Sequence, residues 1–168
     1  LWDADKVNET ALYSQWLWRK DAWSILIGGR YFDNKKFGDK FAPRANIVYQ
    51  LDAKSSLKLL YSTGYTSPNF SQLSVGTTNV NGDIVDINSE PLKPEIIKML
   101  DFAYQYVSKN ILFVANIYSY ETENFLTRLP PPTPKYINEE KFLRNGGELD
   151  LQYHSNNWRY YANISHNT

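Results

Sequence analysis

Residues 56–65 read SLKLLYSTGY, and side chains of two kinds alternate along this stretch. Leu57, Leu59 and Tyr61 begin a mostly apolar and aromatic set, and the intervening positions, apart from Leu60, are small or polar. A period of two residues predicts a β-strand with two different faces. A soluble sandwich would bury the apolar face in its core. An outer-membrane barrel would turn that face to lipid and use the polar face to line a wet lumen.

Seven other segments share this period, and β-branched and aromatic residues fill them, as is typical of strands. Most have about the 9–11 residues that a tilted strand needs to cross a bilayer. The eight predicted strands are Thr10–Trp18, Ala22–Phe32, Pro43–Gln50, Ser56–Tyr65, Ile97–Tyr106, Asn110–Tyr120, Leu143–Tyr153 and Trp158–His166. The chain is therefore predicted to be all-β and antiparallel.

The connections between these strands alternate in length. Those after the first, third, fifth and seventh strands are short, and the others span Asp33–Ala42, Thr66–Glu95 and Glu121–Phe142. Consecutive antiparallel strands place alternate connections at opposite ends of a sheet, so one end carries turns and the other carries loops. This arrangement is typical of membrane barrels, which have short periplasmic turns and long extracellular loops.

Aromatic side chains gather near both ends of the predicted strands. Near the short turns lie Trp16, Trp18, Trp23, Tyr49, Tyr106, Tyr153 and Trp158, and toward the long loops lie Tyr31, Tyr61, Tyr65, Tyr118 and Tyr120. Two such belts suit two lipid–water interfaces. Together with the loop alternation, they favour a segment of a large transmembrane β-barrel over a sandwich.

The composition excludes several other classes of protein. The 18 basic and 18 acidic residues cancel, and no long run of one sign suggests binding to nucleic acid. Cysteine is absent, which removes disulfides, thiolate metal sites and cysteine nucleophiles. No stretch approaches the roughly 20 apolar residues of a membrane helix. The opening LWDADKVNET has no signal-peptide pattern, so we expect the chain to be an internal piece of a longer protein.

Four blocks, in order, resemble the barrel of TonB-dependent outer-membrane receptors. They are GGRYFDNKKFGDKFAPRANIVYQL at Gly28–Leu51, LKLLYSTGYTSPNFSQL at Leu57–Leu73, SEPLKPEIIKMLDFAYQY at Ser89–Tyr106 and NGGELDLQY at Asn145–Tyr153. The second block departs from the family pattern, because residues 65–68 read YTSP where the family often has Phe-Arg-Ala-Pro. The third has Ser-Glu-Pro where Asn-Pro-x is usual.

The resemblance implies that residues 1–168 form part of the barrel of a receptor in the bacterial outer membrane. Barrels of this family have about 22 strands around a plug domain, so the plug and the remaining strands would lie outside this chain. The implied partners are outer-membrane lipid, the protein's own plug, the TonB complex and a scarce nutrient. The nutrient is expected to be a ferric siderophore, imported without bond chemistry or a cofactor.

The residues themselves offer little for catalysis or for metal binding. His154 lies in a predicted turn and His166 near the end of the chain. Glu148 and Asp150 share the polar face of the seventh strand, where carboxylates could act as acid and base but also suit a wet lumen wall. We therefore predict no catalytic residue, no metal site and no enzyme.

The candidate ligand-binding residues lie in two predicted extracellular loops. In the first, Asn69, Phe70 and Gln72 offer amide and aromatic contacts. In the second, Arg128, Lys135 and Tyr136 flank a proline-rich run that would stiffen the loop as an extended arm. Together with Lys141 and Arg144, this second loop is locally basic. A basic, aromatic mouth suits an anionic iron chelate.

Several alternatives remain open from the sequence. A haem receptor of the same family is less favoured, because Asn69–Pro91 contains no histidine or tyrosine that could ligate haem iron. A cobalamin receptor, a soluble β-sandwich binding module, and a small closed barrel acting as an adhesin or an enzyme are further alternatives.

Overall fold

A computed structural model describes residues 8–73, 76–78, 84–86, 91–130 and 135–168. Eight strands form one antiparallel sheet in the order β1-β2-β3-β4-β7-β8-β9-β10. Their bounds are β1 Glu9–Lys20, β2 Trp23–Asn34, β3 Lys40–Gln50, β4 Ser55–Thr66, β7 Glu95–Val107, β8 Ile111–Arg128, β9 Tyr136–His154 and β10 Arg159–Asn167. All eight predicted strands are therefore confirmed, and each pairs with its neighbour along the sheet.

The connection between β4 and β7 contains three further short elements. These are the helix α1 (Phe70–Leu73) and the strands β5 (Gly76–Thr78) and β6 (Ile84–Asp86), which pair with each other. In the described ranges, no helix is long and apolar enough to cross a membrane.

The short connections all lie at one end of the sheet, as predicted. The first consists of Asp21 and Ala22, and Asp21 adopts a φ of 50°, which Asp tolerates better than most residues. In the second, at residues 51–54, the Asp52 carboxylate accepts the backbone N–H groups of Lys54 at 2.7 Å and Ser55 at 2.9 Å. These two bonds, chiefly that from Lys54, lower the pKa of Asp52.

The loops at the other end differ from the prediction in length. The segment Asp33–Ala42 was predicted as a loop, but β2 and β3 extend into it and only residues 35–39 connect them. The segment Glu121–Phe142 is wrong as a loop, because β8 has 18 residues and β9 has 19, and the two run on as a hairpin as far as Arg128 and Tyr136. Backbone pairing between β8 and β9 extends both strands beyond the point where the period-2 pattern of their side chains ends.

The strand register puts the predicted apolar side chains on one face. One row across the sheet is Trp18, Ile25, Ile47, Leu59, Phe102, Ile117, Gly147 and His166. Side chains on this face are open: Ile117 is 62 % exposed and Ile164 67 %. The described part of the chain buries only four hydrophobic residues, which are Phe32, Ala42, Leu92 and Ala103. Within the described residues, no second layer of the kind that a soluble sandwich requires covers this face.

The aromatic belt at the short-turn end is confirmed, and the belt at the other end is only partly so. Trp23 packs on Tyr49 with ring centroids 4.5 Å apart. At the loop end, however, the register places Tyr118 and Tyr120 on the polar face, in the rows of Asp101 and Arg144. The predicted loop-end belt is wrong for these two residues, because the strand period assigns even-numbered positions of β8 to the inside.

The close approach of β1 to β2 requires a residue without a side chain at Gly28. A Cβ at Gly28 would lie 2.8 Å from the backbone oxygen of Ser14 and 2.9 Å from Cβ of Gln15. The close approach that the glycine allows is therefore between β1 and β2.

Candidate functional site: the polar face and the loop end

Polar side chains on the face opposite the apolar rows form hydrogen bonds from strand to strand. Arg44 on β3 donates to the side-chain oxygens of Tyr13 and Gln15 on β1, and its guanidinium also lies 4.9 Å from the centre of the Tyr13 ring. Lys58 on β4 donates to Gln105 on β7. These hydrogen bonds satisfy polar groups that would otherwise need water as a hydrogen-bond partner.

The same face continues across β9 and β10. Asn163 donates to Glu148 at 2.6 Å and to Asp150 at 2.9 Å, and the Tyr161 hydroxyl donates to Asp150 at 3.0 Å. The two carboxylates therefore act as acceptors for an amide and a phenol. Since mixed charges and amides line one whole face, it is suited to contact water or another polar surface.

A charged cluster closes the apolar face at its loop end. Lys98 pairs with Glu121 at 3.5 Å and also with Glu123, and Lys141 pairs with Glu121 at 2.7 Å. Their register places these residues directly above the apolar rows of β7, β8 and β9. Charges at this height mark the end of the face that can meet hydrocarbon.

The predicted basic region is divided by the fold. Lys141 is neutralised by Glu121, and Arg144 lies farther down β9, where its guanidinium donates to Asn167 Oδ1 at 2.7 Å. Arg128 and Lys135 remain at the tip of the β8–β9 hairpin, where Leu129 N–H donates to the carbonyl of Lys135 at 2.8 Å. Of the proline-rich run, residues 131–134 lie outside the described part.

Asn69 and Gln72 were predicted as ligand contacts, and the structure shows them capping α1. Asn69 Oδ1 accepts the N–H of Gln72 at 2.9 Å, and Gln72 Oε1 accepts the N–H of Asn69 at 2.8 Å. This reciprocal pair resembles a capping box. The two residues, with Phe70, lie in the β4–β7 connection, whereas Arg128, Lys135 and Tyr136 lie at the hairpin tip, so the six candidates belong to two separate segments.

The β4–β7 connection starts by crossing toward β1 and β2. The Ser67 hydroxyl lies 3.4 Å from Glu9 Oε2, and the ring of Tyr65 lies 5.0 Å from that of Phe32 on β2. Asn34, only 1 % exposed, donates to the same Glu9 carboxylate at 3.0 Å and accepts the N–H of Lys36 at 3.0 Å.

A polar cavity of about 350 Å³ lies between the hairpin and the segment before β7. Its lining residues are Pro91, Leu92, Lys93, Asn124, Tyr136, Ile137, Asn138, Glu139 and Glu140. Sequence reasoning missed Asn124 and Asn138, because both fell in a predicted loop where amides are ordinary. The sequence signal that could have located this cavity was the Leu-Lys-Pro-Glu motif, because its Leu92 and Lys93 line the cavity together with these two asparagines. No group of His, Asp and Glu within the described residues could hold a metal ion.

Known structures share this fold. The chain superposes on the siderophore receptor PirA from Pseudomonas aeruginosa with a TM-score of 0.81 and 16% identity, over 96% of this chain and 32% of that one. For the FrpB iron transporter from Neisseria meningitidis the TM-score is 0.73 at 14% identity, over 98% and 27% of the two chains. For a mutant of the ferric enterobactin receptor PfeA from Pseudomonas aeruginosa the values are 0.76 and 15%, over 94% and 26%.

The chain thus spans between 26% and 32% of the length of these three structures. No curated protein sequence matches it. The sequence profile described as "TonB dependent receptor-like, beta-barrel" matches residues 1–168. Members of that family are transporters of the outer membrane and are not enzymes, which confirms the predicted location and the predicted lack of catalysis. With a whole-length match and an open apolar face on an eight-stranded sheet, the chain belongs to the β-barrel family of TonB-dependent receptors.

Proposed function

We propose that this chain is part of a larger receptor barrel that imports a ferric siderophore across the bacterial outer membrane. The sheet is open: β1 and β10 are not paired with each other, and each has one hydrogen-bonded neighbour. Further strands of the same protein would continue the barrel from both edges. A plug domain would contact the polar face, and the TonB complex would supply the energy for transport through the plug.

The observation that carries the proposal is the contrast between the two faces. On one, large apolar side chains such as Ile117 and Ile164 stay exposed across the sheet. On the other, Arg44, Lys58 and Asp150 are hydrogen-bonded. A sheet of this kind suits lipid on one side and a wet, plugged lumen on the other.

The ligand would be captured at the loop end of the barrel. Arg128, Lys135 and Tyr136 at the hairpin tip offer two cations and a phenol ring, which attract carboxylates and catecholates. Phe70 in α1 would add an aromatic surface, and Asn69 and Gln72 would shape it by holding the helix turn. Siderophore and iron receptors among the structural relatives support this choice of ligand class.

The full-length receptor in detergent provides the test. Binding of ferric tris-catecholate, ferric hydroxamate and ferric carboxylate siderophores would be compared with haem and cobalamin by fluorescence quenching, and uptake of labelled iron would be followed in cells. We expect a ferric siderophore to bind most tightly. Replacing Arg128 and Lys135 together by Ala should weaken that binding by about tenfold or more, since charge-assisted contacts are lost.

Lys109→Ala provides the matched control, because it removes an exposed cation from a turn at the opposite end of the sheet. It should leave binding unchanged. Tighter binding of haem or cobalamin than of every siderophore would refute the proposed ligand class. Equal effects of the tip and control substitutions would refute the proposed capture site.

A further inference from the structure

The tip of the β8–β9 hairpin stands beyond its neighbouring strand. β7 pairs with β8 only as far as Ile96 opposite Glu123, so residues 125–128 of β8 have a strand partner in β9 alone. An isolated two-stranded ribbon is marginally stable in water. The tip therefore depends on contacts other than strand pairing to keep a defined position.

The amide of Asn138 supplies three of these contacts. Its Nδ2 donates to the backbone carbonyls of Lys93 at 2.9 Å and of Asn124 at 2.7 Å. Its Oδ1 accepts the backbone N–H of Lys93 at 2.7 Å. One side chain thus bonds both backbone groups of Lys93, as a paired strand residue would, and ties them to β8 as well.

Glu95 supplies a second fastening. Its Oε1 accepts the backbone N–H of Leu126 at 2.8 Å, at a position on β8 where β7 no longer provides a partner. Asn124, whose carbonyl Asn138 holds and whose Nδ2 donates to the carbonyl of Pro94 at 3.3 Å, adopts a φ of 55°. The Cα pairing of β8 with β9 is interrupted at this residue. A left-handed residue inside a strand is a natural point of bending.

The segment that these side chains grip is itself anchored. Leu92 is 6 % exposed and Pro94 is also buried, whereas Lys93 between them is exposed. The proline ring restricts its own backbone and that of the residue before it. The Leu-Lys-Pro-Glu motif is therefore a rigid segment, and its polar backbone groups face the hairpin.

We propose that Asn138 and Glu95 are positioning residues, which lock the hairpin onto residues 92–94 and so hold Arg128, Lys135 and Tyr136 over the mouth. Without the lock, the hairpin would pivot at Asn124. The role in ligand capture rests on the proposed function, whereas the lock itself stands on the hydrogen bonds of the hairpin.

Amide hydrogen exchange of the full-length receptor in detergent, without any ligand, tests the lock. In the wild type, the amides of Lys93 and Leu126 should be protected. Asn138→Ala should raise exchange at Lys93 and across residues 124–129 by about tenfold or more, since three hydrogen bonds are lost. Asn138→Asp, which has the same shape and keeps the acceptor of the Lys93 N–H but lacks the donors, should raise exchange across residues 124–129. Glu139→Gln is the control and should change nothing.

Two substitutions of Glu95 test the second fastening, which is the hydrogen bond from the Leu126 N–H to the Glu95 carboxylate. Glu95→Gln keeps an oxygen that can accept the Leu126 N–H and should preserve its protection, whereas Glu95→Ala should expose it. Unchanged exchange in both Asn138→Ala and Glu95→Ala would overturn the lock. Protection that is also intact in Asn138→Asp would show that the donors of Asn138 do not hold the hairpin, and would overturn it too.

Binding of ferric enterobactin, used as the tris-catecholate probe, separates the lock from the proposed function. We expect Asn138→Ala to weaken binding by about tenfold while the unfolding midpoint of the barrel stays at its wild-type value. Looser exchange with unchanged affinity would overturn the positioning role. If the wild type binds neither this probe nor any other ferric siderophore while the exchange results hold, the proposed function fails and the lock is supported.

Discussion

A cation introduced on the apolar face should destabilise the barrel strongly. Leu59 lies near the middle of β4, in a row with Ile47 and Phe102, and is 41 % exposed. Lys at the middle of a membrane barrel's lipid face costs about 2–4 kcal/mol, and the lost lipid contact of two fifths of a Leu adds about 1 kcal/mol. Leu59→Lys should therefore cost about 3–5 kcal/mol.

The next residue along the same strand gives the matched control. Leu60 lies on the polar face, in a row with Asn46 and Asp101, so Leu60→Lys adds the same side chain at almost the same depth. It should cost about 1 kcal/mol or less, since its ammonium can reach water or a carboxylate. The measurement is denaturant unfolding of the full-length receptor in lipid vesicles. Equal costs on both faces, or a larger cost for Leu60→Lys, would refute the assignment of lipid to the apolar face.

Three further substitutions test local features. Asp52→Asn should reduce the pH dependence of the free energy of unfolding, because the pKa of Asp52 is lowered in the folded state. The stabilisation by the Asp52 carboxylate is complete above the ordinary Asp pKa and is lost as the pH falls through the lowered pKa of the folded state. Denaturant unfolding between pH 7 and pH 2 would measure it. Asn34→Ala should cost about 2–3 kcal/mol in thermal or denaturant unfolding, because a buried amide with several partners is removed, and equality with Lys35→Ala would contradict this. Gly28→Ala should lower the yield of folded barrel on refolding, whereas Gly64→Ala, whose added Cβ meets no atom closer than 3.8 Å, should not.

Strand identity was predictable because it depends on a signal that is local. In β7, the alternation of Leu100 and Phe102 with Asp101 reflects two solvents, and each residue carries that signal by itself. The turns were equally predictable, since Asp21 and Asp52 perform local chemistry within a few residues. For these features no distant part of the chain had to be known.

The loop end was harder to predict because its structure depends on distant partners. Residues 121–142 carry charges and amides without a clear period, yet pairing between β8 and β9 extends both strands through them. Asn138 contacts Lys93, which is 45 positions away, and nothing near either residue announces the contact. Asn69 and Gln72 were recognised as polar but not as the cap of a helix as short as α1.

The height of the apolar band indicates how far the hairpin tip stands from lipid. From Tyr106 in the short-turn belt to Lys98 in the charged cluster, β7 rises eight residues, or about 26 Å along the strand and about 20 Å at a usual barrel tilt. With the side chains at each end included, this height agrees with the apolar band of about 25 Å in outer-membrane barrels. From Glu123, the last acidic residue of the cluster, to Arg128, β8 continues for five residues, about 17 Å along the strand. Because this distance lies beyond the charged cluster, the tip is placed in water rather than in hydrocarbon.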